Sequence, residues 1–255
     1  MKTLVLGNSH VACVIQAWRQ SPFSNGREMS FFVKSGGLSE FTVSGSEISA
    51  ASSDFSSFLE RLSLPKTVDL ATFDTIALVG SELSIFHVVN ILNRYRVLDW
   101  PMRQDLATPA LTEGVLRLAL SEALNQSNGG RVLKLLRGIP QLADKKIAVL
   151  PQPFPSERAL GSKGSGIGFR RLIKHRAAKP AAAIFSEELF ALCNRYGAVY
   201  QPQPRSTITH DCLTVNHFTE AARRLINLEQ VQPVDDIIHA NVAYGNLLVD
   251  QILAL

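Results

Sequence analysis

Residues 3–10 read Thr3-Leu4-Val5-Leu6-Gly7-Asn8-Ser9-His10, and the next five are Val11-Ala12-Cys13-Val14-Ile15. A short apolar run that stops at a glycine has the length and composition of a strand buried on both faces. The apolar stretch after it reads as a helix that begins within the same turn. Four further runs of the first kind occur at Met29–Val33, Thr75–Val79, Lys146–Leu150 and Ala198–Gln201, with helix-like sequence between them. Strands alternating with amphipathic helices predict a three-layer α/β/α sandwich around a flavodoxin-like, parallel, five-stranded sheet, in a single domain of residues 1–255.

The helix signals are uneven. Ser186-Glu187-Glu188, then Leu189, Phe190, Leu192, Cys193, Tyr196 and Gly197, has a capping serine, an acidic first turn and a glycine stop. Ala240, Ala243, Tyr244, Leu247 and Leu248 fall on one helical face, so a last helix is expected from His239 onward. Leu111–Leu124 and Val132–Leu136 read as two helical pieces, broken at Ser127-Asn128-Gly129-Gly130 into a hairpin or a kinked pair. Eight serines between Ser44 and Ser63 suggest a mobile or poorly packed connection, although Phe55, Phe58, Leu59 and Leu62 suit a short amphipathic helix. A lid or mobile loop is expected around residues 154–180, where Gly161–Gly168 reads GSKGSGIG and is followed by Arg170, Arg171, Lys174, His175, Arg176 and Lys179. No internal repeat is found.

Composition narrows the function. Of 255 residues, 46% are hydrophobic and 19% charged, too apolar for a disordered chain. With 26 Lys+Arg against 22 Asp+Glu the formal charge is only +4, so a sequence pI of 9.1 does not by itself indicate nucleic-acid binding. Cys13, Cys193 and Cys212 are widely spaced and form no CxxC pair, which argues against a disulfide framework or a zinc ribbon and fits a reducing compartment. The N-terminal apolar run is shorter than the ~7–15 residues of a signal-peptide core, and no stretch approaches the ~18 of a membrane span. A cytoplasmic location without membrane insertion is the expectation.

Ser9 falls where a strand's carboxyl end meets a helix's amino end, a place where ligands bind in open α/β sheets and where helix N–H groups favour developing negative charge. It can serve as a nucleophile, or Asn8 or Ser9 can simply cap the helix. At the other end of the chain, Asp236-Ile237-Ile238-His239 places a carboxylate three residues before an imidazole. A compact turn there lets the carboxylate orient one ring nitrogen while the other faces a serine. A central first strand and a loop returning to its carboxyl edge would bring Ser9 and His239 together.

A Gly7-Asn8-Ser9-His10 block after the first strand, paired with an Asp236–His239 block before the last helix, resembles the SGNH, or GDSL-like, serine esterases and lipases, in an order and spacing that covers essentially the whole chain. The resemblance implies the SGNH-hydrolase fold and a triad of Ser9 as nucleophile, Asp236 as orienting acid and His239 as base. It also implies an oxyanion hole made by the Ser9 N–H, a glycine after the second strand, here Gly36 or Gly37, and an asparagine in a G-x-N-D stretch after the third. This chain reads Val79-Gly80-Ser81-Glu82 at that point, which puts Ser81 in the asparagine's place, or Glu82 in a register shifted by one. A hydroxyl is a shorter and less directed donor than an amide, and a carboxylate would repel an oxyanion. Asn8 stands where the literal motif has aspartate.

Gln152, in Pro151-Gln152-Pro153 after the fourth strand, is a further candidate for contacting substrate, against the alternative of a rigid proline-framed loop. His87, His175, His210 and His217 show no ligand spacing, so neither a metal nor another cofactor is expected. The leading expectation is a serine hydrolase cleaving an O-acetyl or other short acyl ester of a carbohydrate or small metabolite, including anionic ones, through an acyl-enzyme on Ser9. Acyl transfer to a sugar hydroxyl would use the same residues. The alternative is a catalytically weak or inactive accessory protein on the same scaffold. A nucleotide-binding domain using Gly161–Gly168 is a third reading, although the segment lacks the Gly-Lys-Ser/Thr ending and follows the fourth strand.

Overall fold

The expected strands form, each within a residue or two of its expected bounds. In a computed structural model describing residues 1–20, 26–38, 40–101, 108–164 and 166–255, they are β1 (Lys2–Gly7), β2 (Glu28–Val33), β3 (Thr75–Gly80), β4 (Lys146–Pro151) and β5 (Val199–Tyr200). All pair in parallel in the order β5-β4-β3-β1-β2, the flavodoxin-like arrangement, with the order reversing between β1 and β3. Gly7 pairs with Val33 on one side and Val79 on the other, and Gly80 with Pro151. The turns after β1, β2, β3 and β4 therefore emerge side by side at one edge, where such sheets bind ligands.

Leu4, Val5, Leu6, Ile76, Leu78, Ile147 and Val149 are fully buried, as strands covered on both faces require. The helices are α1 (Ala12–Gln20), α2 (Ser53–Arg61), α3 (Phe86–Leu92), α4 (Glu113–Gln126), α5 (Asn128–Arg137), α6 (Gly166–Lys174), α7 (Ala178–Arg195) and α8 (Val242–Leu253). α1 packs on α8, while α4 packs on α3, α5 and α7, giving the two helical layers.

α8 and α1 approach closely at Gly245. A β-carbon there would lie 2.1 Å from the Cys13 carbonyl oxygen and 3.2 Å from Ala17 Cβ, so the α8 backbone rests directly on α1. Since Ser9 immediately precedes α1 and His239 lies three residues before α8, this contact sets how the two ends of the chain meet.

Several local expectations are corrected. α7 begins at Ala178, eight residues before Ser186, with Pro180 tolerated in its first turn, where its missing N–H is not needed. α8 begins after Asn241, whose side chain accepts from the Ala243 and Tyr244 N–H groups, so His239 stands in the preceding loop. The break between α4 and α5 is Ser127 alone, and its hydroxyl caps Gly130 N–H. The serine-rich stretch is ordered structure: Glu47–Ala50 is a strand of a small antiparallel sheet and α2 buries Phe55, Phe58 and Leu59.

The 154–180 stretch, expected as a lid or mobile loop, is packed into the fold. Glu157–Leu160 is a 3-10 turn, α6 follows, and Ser156, Ala159 and Phe169 are fully buried. Gly168 is there for packing, since a β-carbon would meet Val89 Cγ1 at 2.4 Å. The Arg170 guanidinium donates to the carbonyls of Ala159, Leu160 and Ser162, which closes the glycine-rich turn on itself; Ser165 lies outside the described residues. Cys13, Cys193 and Cys212 are all buried free thiols, and burial pushes each up to about 12. No helix among the described residues is long and apolar enough to cross a membrane.

Candidate active site

The turn after β1 is built by close approach. A side chain at Gly7 would meet the Val79 carbonyl oxygen at 2.3 Å, and one at Gly80, where φ is +71°, would meet Asn8 Oδ1 at 2.5 Å. Asn8 Oδ1 accepts from His10 N–H at 3.3 Å and caps the 3-10 turn Ser9–Val11. The expected bracing role of Asn8 is what this geometry describes.

Ser9, Asp236 and His239 converge. His239 Nε2 lies 2.9 Å from Ser9 Oγ, and Nδ1 lies 3.0 Å from Asp236 Oδ1. An ionised carboxylate only accepts, so the imidazole donates Nδ1–H to Asp236 and presents an unprotonated Nε2 to the serine hydroxyl. Asp236 also accepts from the backbone N–H of Ile238 and His239, and its side chain is 12% exposed. Burial raises its pKa, but the hydrogen bond and charge of His239 and those backbone donors outweigh this and hold the carboxyl below its usual range.

The loop carrying Asp236 is clamped by Arg158 and Ser156, from a segment with no sequence sign of such a role. Arg158 donates to the carbonyls of Val234 at 3.2 Å, Thr219 at 3.2 Å and Asp236 at 3.1 Å. Ser156 N–H donates to the Ile237 carbonyl at 2.7 Å, and Asn241 Nδ2 ties the far side to the carbonyls of His217 and Glu220.

His10 is the other residue that sequence reasoning passed over. Its ring stacks on that of His239, with centroids 5.1 Å apart and 23° between planes. Burial, then the neighbouring His239, push it down to about 3 against smaller opposing effects of Asp236 and Gln152. Gln152 is itself buried, and its backbone N–H donates to the Leu83 carbonyl at 3.0 Å.

A measurable acid sensitivity follows. The folded protein keeps His10 neutral, whereas the unfolded chain takes up a proton below about pH 6.5, so acid favours unfolding through the interval down to about pH 3. Between pH 6.5 and 4.5 this one group removes about 2 kcal/mol of stability, since the unfolded chain is already half-protonated at pH 6.5. Urea titrations at the two pH values should show that much smaller a loss in His10→Gln than in wild type; equal losses would refute the assignment.

The middle of the expected oxyanion hole is rearranged. Ser81 is fully buried, its hydroxyl is directed at the Val79 carbonyl at 3.4 Å, and its carbonyl accepts from Gly129 N–H at 2.7 Å. The Glu82 carboxylate accepts from Asn128 N–H at 3.1 Å, so it caps α5 and does not take the oxyanion position. Both residues have positive φ, 52° and 63°. Neither brings a side-chain donor to Ser9.

The turn after β2 does reach the region: Ser35 borders the Ser9 depression, and Gly36 and Gly37 follow with φ of +84° and +131°. Gly37 lies against the first residue of α5, since a β-carbon on it would be 3.0 Å from Asn128 Nδ2. Asn128 is 7% exposed and its Oδ1 has no partner among the described residues. Only the tertiary docking of α5 on the Ser81–Glu82 turn places this amide there.

Ser9 opens onto a depression of 220 Å³ bordered by Ser35, Arg224, Leu225, Ile226, Gln232 and His239. Arg224 belongs to the hairpin Arg223–Arg224/Asn227–Val231, which Gln16 of α1 holds through the Leu228 carbonyl. The cation beside Ser9 therefore comes from this hairpin and not from the basic Gly161–Lys179 segment.

No family model and no curated protein matches the chain. Solved structures similar to it include an extracellular lipase from Streptomyces rimosus, at 11% identity over 99% of both chains with a TM-score of 0.47. A phospholipase A1 from Streptomyces albidoflavus is 11% identical over 98% of both, with a TM-score of 0.43. An active-site mutant of a family two carbohydrate esterase from Clostridium thermocellum is 11% identical over 99% of this chain and 62% of that one, with a TM-score of 0.37.

Proposed function

We propose that the protein is a serine esterase of the SGNH class. The observation that carries this is the relay Asp236–His239–Ser9, with contacts of 3.0 and 2.9 Å joining residues 230 positions apart. In this reading Ser9 Oγ attacks the acyl carbon as His239 Nε2 takes its proton. The imidazolium, stabilised by Asp236, then protonates the leaving alcohol, and water repeats the sequence to release the acid. The N–H groups of Ser9 and Gly37, with the Asn128 amide beside Gly37, supply donors to the oxyanion in place of Ser81.

A depression of 220 Å³ suits a short acyl group, and Arg224 at its border suits an anionic substituent on a sugar or small metabolite. The accessory-protein reading is favoured by one observation, the withdrawal of Ser81. A fluorophosphonate probe with peptide mass spectrometry separates the two: modification confined to Ser9 supports the esterase, and a folded protein left unlabelled under conditions that label a control esterase supports the accessory reading. Asn128→Ala should lower kcat by about 10²–10³-fold, the effect of one lost oxyanion donor. A variant with wild-type kcat would remove Asn128 from the mechanism.

A further inference from the structure

A cavity larger than the depression that holds Ser9 opens elsewhere in the molecule. A space of 640 Å³ opens beyond the ends of β4 and β5, between them and the first half of α7, and shares no lining residue with the Ser9 depression. Strands spaced by about 4.8 Å put β4 and β5 roughly 10 and 14 Å across the sheet from β1. Its apolar wall is made by Pro151, Phe154, Phe185, Tyr200 and Ile208. A volume of this size, with an aromatic and aliphatic wall and polar and charged groups gathered at one side, suits a small molecule.

The rim is cationic. Lys179 and Arg205 border the cavity, and Arg176 borders an adjoining 330 Å³ recess that shares Lys179, His210 and Asp211 with it. Three cations thus face one carboxylate, Asp211. None of the three makes an ion pair or a side-chain hydrogen bond among the described residues. Elsewhere Arg117, Arg137, Arg158 and Arg170 are each tied by several acceptors.

The cavity is also held open by its own framework. Gln203, buried, accepts from Phe154 N–H at 2.7 Å and donates to Thr207 at 2.9 Å and Thr214 at 3.0 Å, and Tyr200 and Ser186 hydroxyls meet at 3.1 Å. At the mouth His210 and Asp211 have φ of 49° and 62°, strained values fixed by the flanking ladder of Ile208–Thr209 on Leu213–Thr214.

We infer that this cavity is a second binding site, for an amphipathic anion: one carboxylate, sulfonate or phosphomonoester head on an apolar body. The body fills the aromatic chamber and the head is met by Lys179, Arg205 and Arg176. The site is independent of the chemistry at Ser9.

Anilinonaphthalene sulfonate, which has this shape, provides the test. Wild type should bind it at one saturable site, and dodecanoate or dodecyl phosphate should displace it while dodecanol does not. The relative potency of the two displacers tells which head is preferred. Lys179→Glu/Arg205→Glu, a surface change checked for fold by circular dichroism, should weaken binding at least tenfold, and Ala182→Trp should block it. Ser9→Ala and Arg224→Glu should bind as wild type does. Absence of saturable binding, equal affinity in the charge-reversed variant, displacement by dodecanol, or loss on Arg224→Glu would each overturn the inference, whether or not Ser9 proves to be a nucleophile.

Discussion

Ser9→Ala is expected to lower kcat/KM for a short acyl ester by about 10⁴–10⁶-fold and to abolish fluorophosphonate labelling. Without Oγ there is no acyl-enzyme, and what survives is the stabilisation given by oxyanion donors and binding. Because Ser9 and His239 act as one unit across a 2.9 Å contact, His239→Ala should cost about as much, and the double variant little more than either. Asp236→Asn should cost about 10⁴-fold, since an amide in that place can donate to Nδ1 and so favours the wrong tautomer. Steady-state rates on an acyl ester, with thermal melts to confirm folding, decide the matter. A Ser9→Ala protein hydrolysing at the wild-type rate would end the esterase reading.

Gly245→Ala is expected to destabilise the fold strongly. The new β-carbon would fall 2.1 Å from the Cys13 carbonyl oxygen and 2.5 Å from its carbon, both backbone atoms of α1 that no rotamer change can move. α8 must shift away, and overpacking of this kind costs about 1–3 kcal/mol, occasionally more. For a chain of this length that corresponds to a fall in Tm of roughly 2–12 °C. His239 precedes the displaced helix, so esterase activity should fall with stability and more than the unfolded fraction accounts for. Calorimetry and rates measured well below Tm would show both; a Tm within a degree of wild type would mean that α8 accommodates the methyl group at no cost.

The fold was legible because its signals are local. Five apolar runs bounded by turns gave the sheet, and the position of the Ser9 turn at the end of the first gave the edge of interest. The Asp236–His239 pair could be read because a carboxylate three residues from an imidazole needs only one turn of chain to meet it. What escaped depends on distant packing. Ser81 matches a donor's position in sequence, yet its turn adopts positive φ and spends its carbonyl on α5. Asn128 meets Gly37 only because α5 docks there, Arg158 acts through three carbonyls lying 61 to 78 residues away, and His10 matters through a ring stacked from the opposite end of the chain. The supposed lid misled for a related reason: glycines at 166 and 168 that suggest flexibility are there to admit neighbouring chain, including Val89 from α3.

Vectorial synthesis gives the meeting of α1 and α8 a temporal meaning. Ser9 is synthesised some 230 residues before His239, which comes just ahead of α8. A chain arrested before Val242 therefore carries Ser9, Asp236 and His239 without α8, whose contact with α1 at Gly245 sets how the two segments meet.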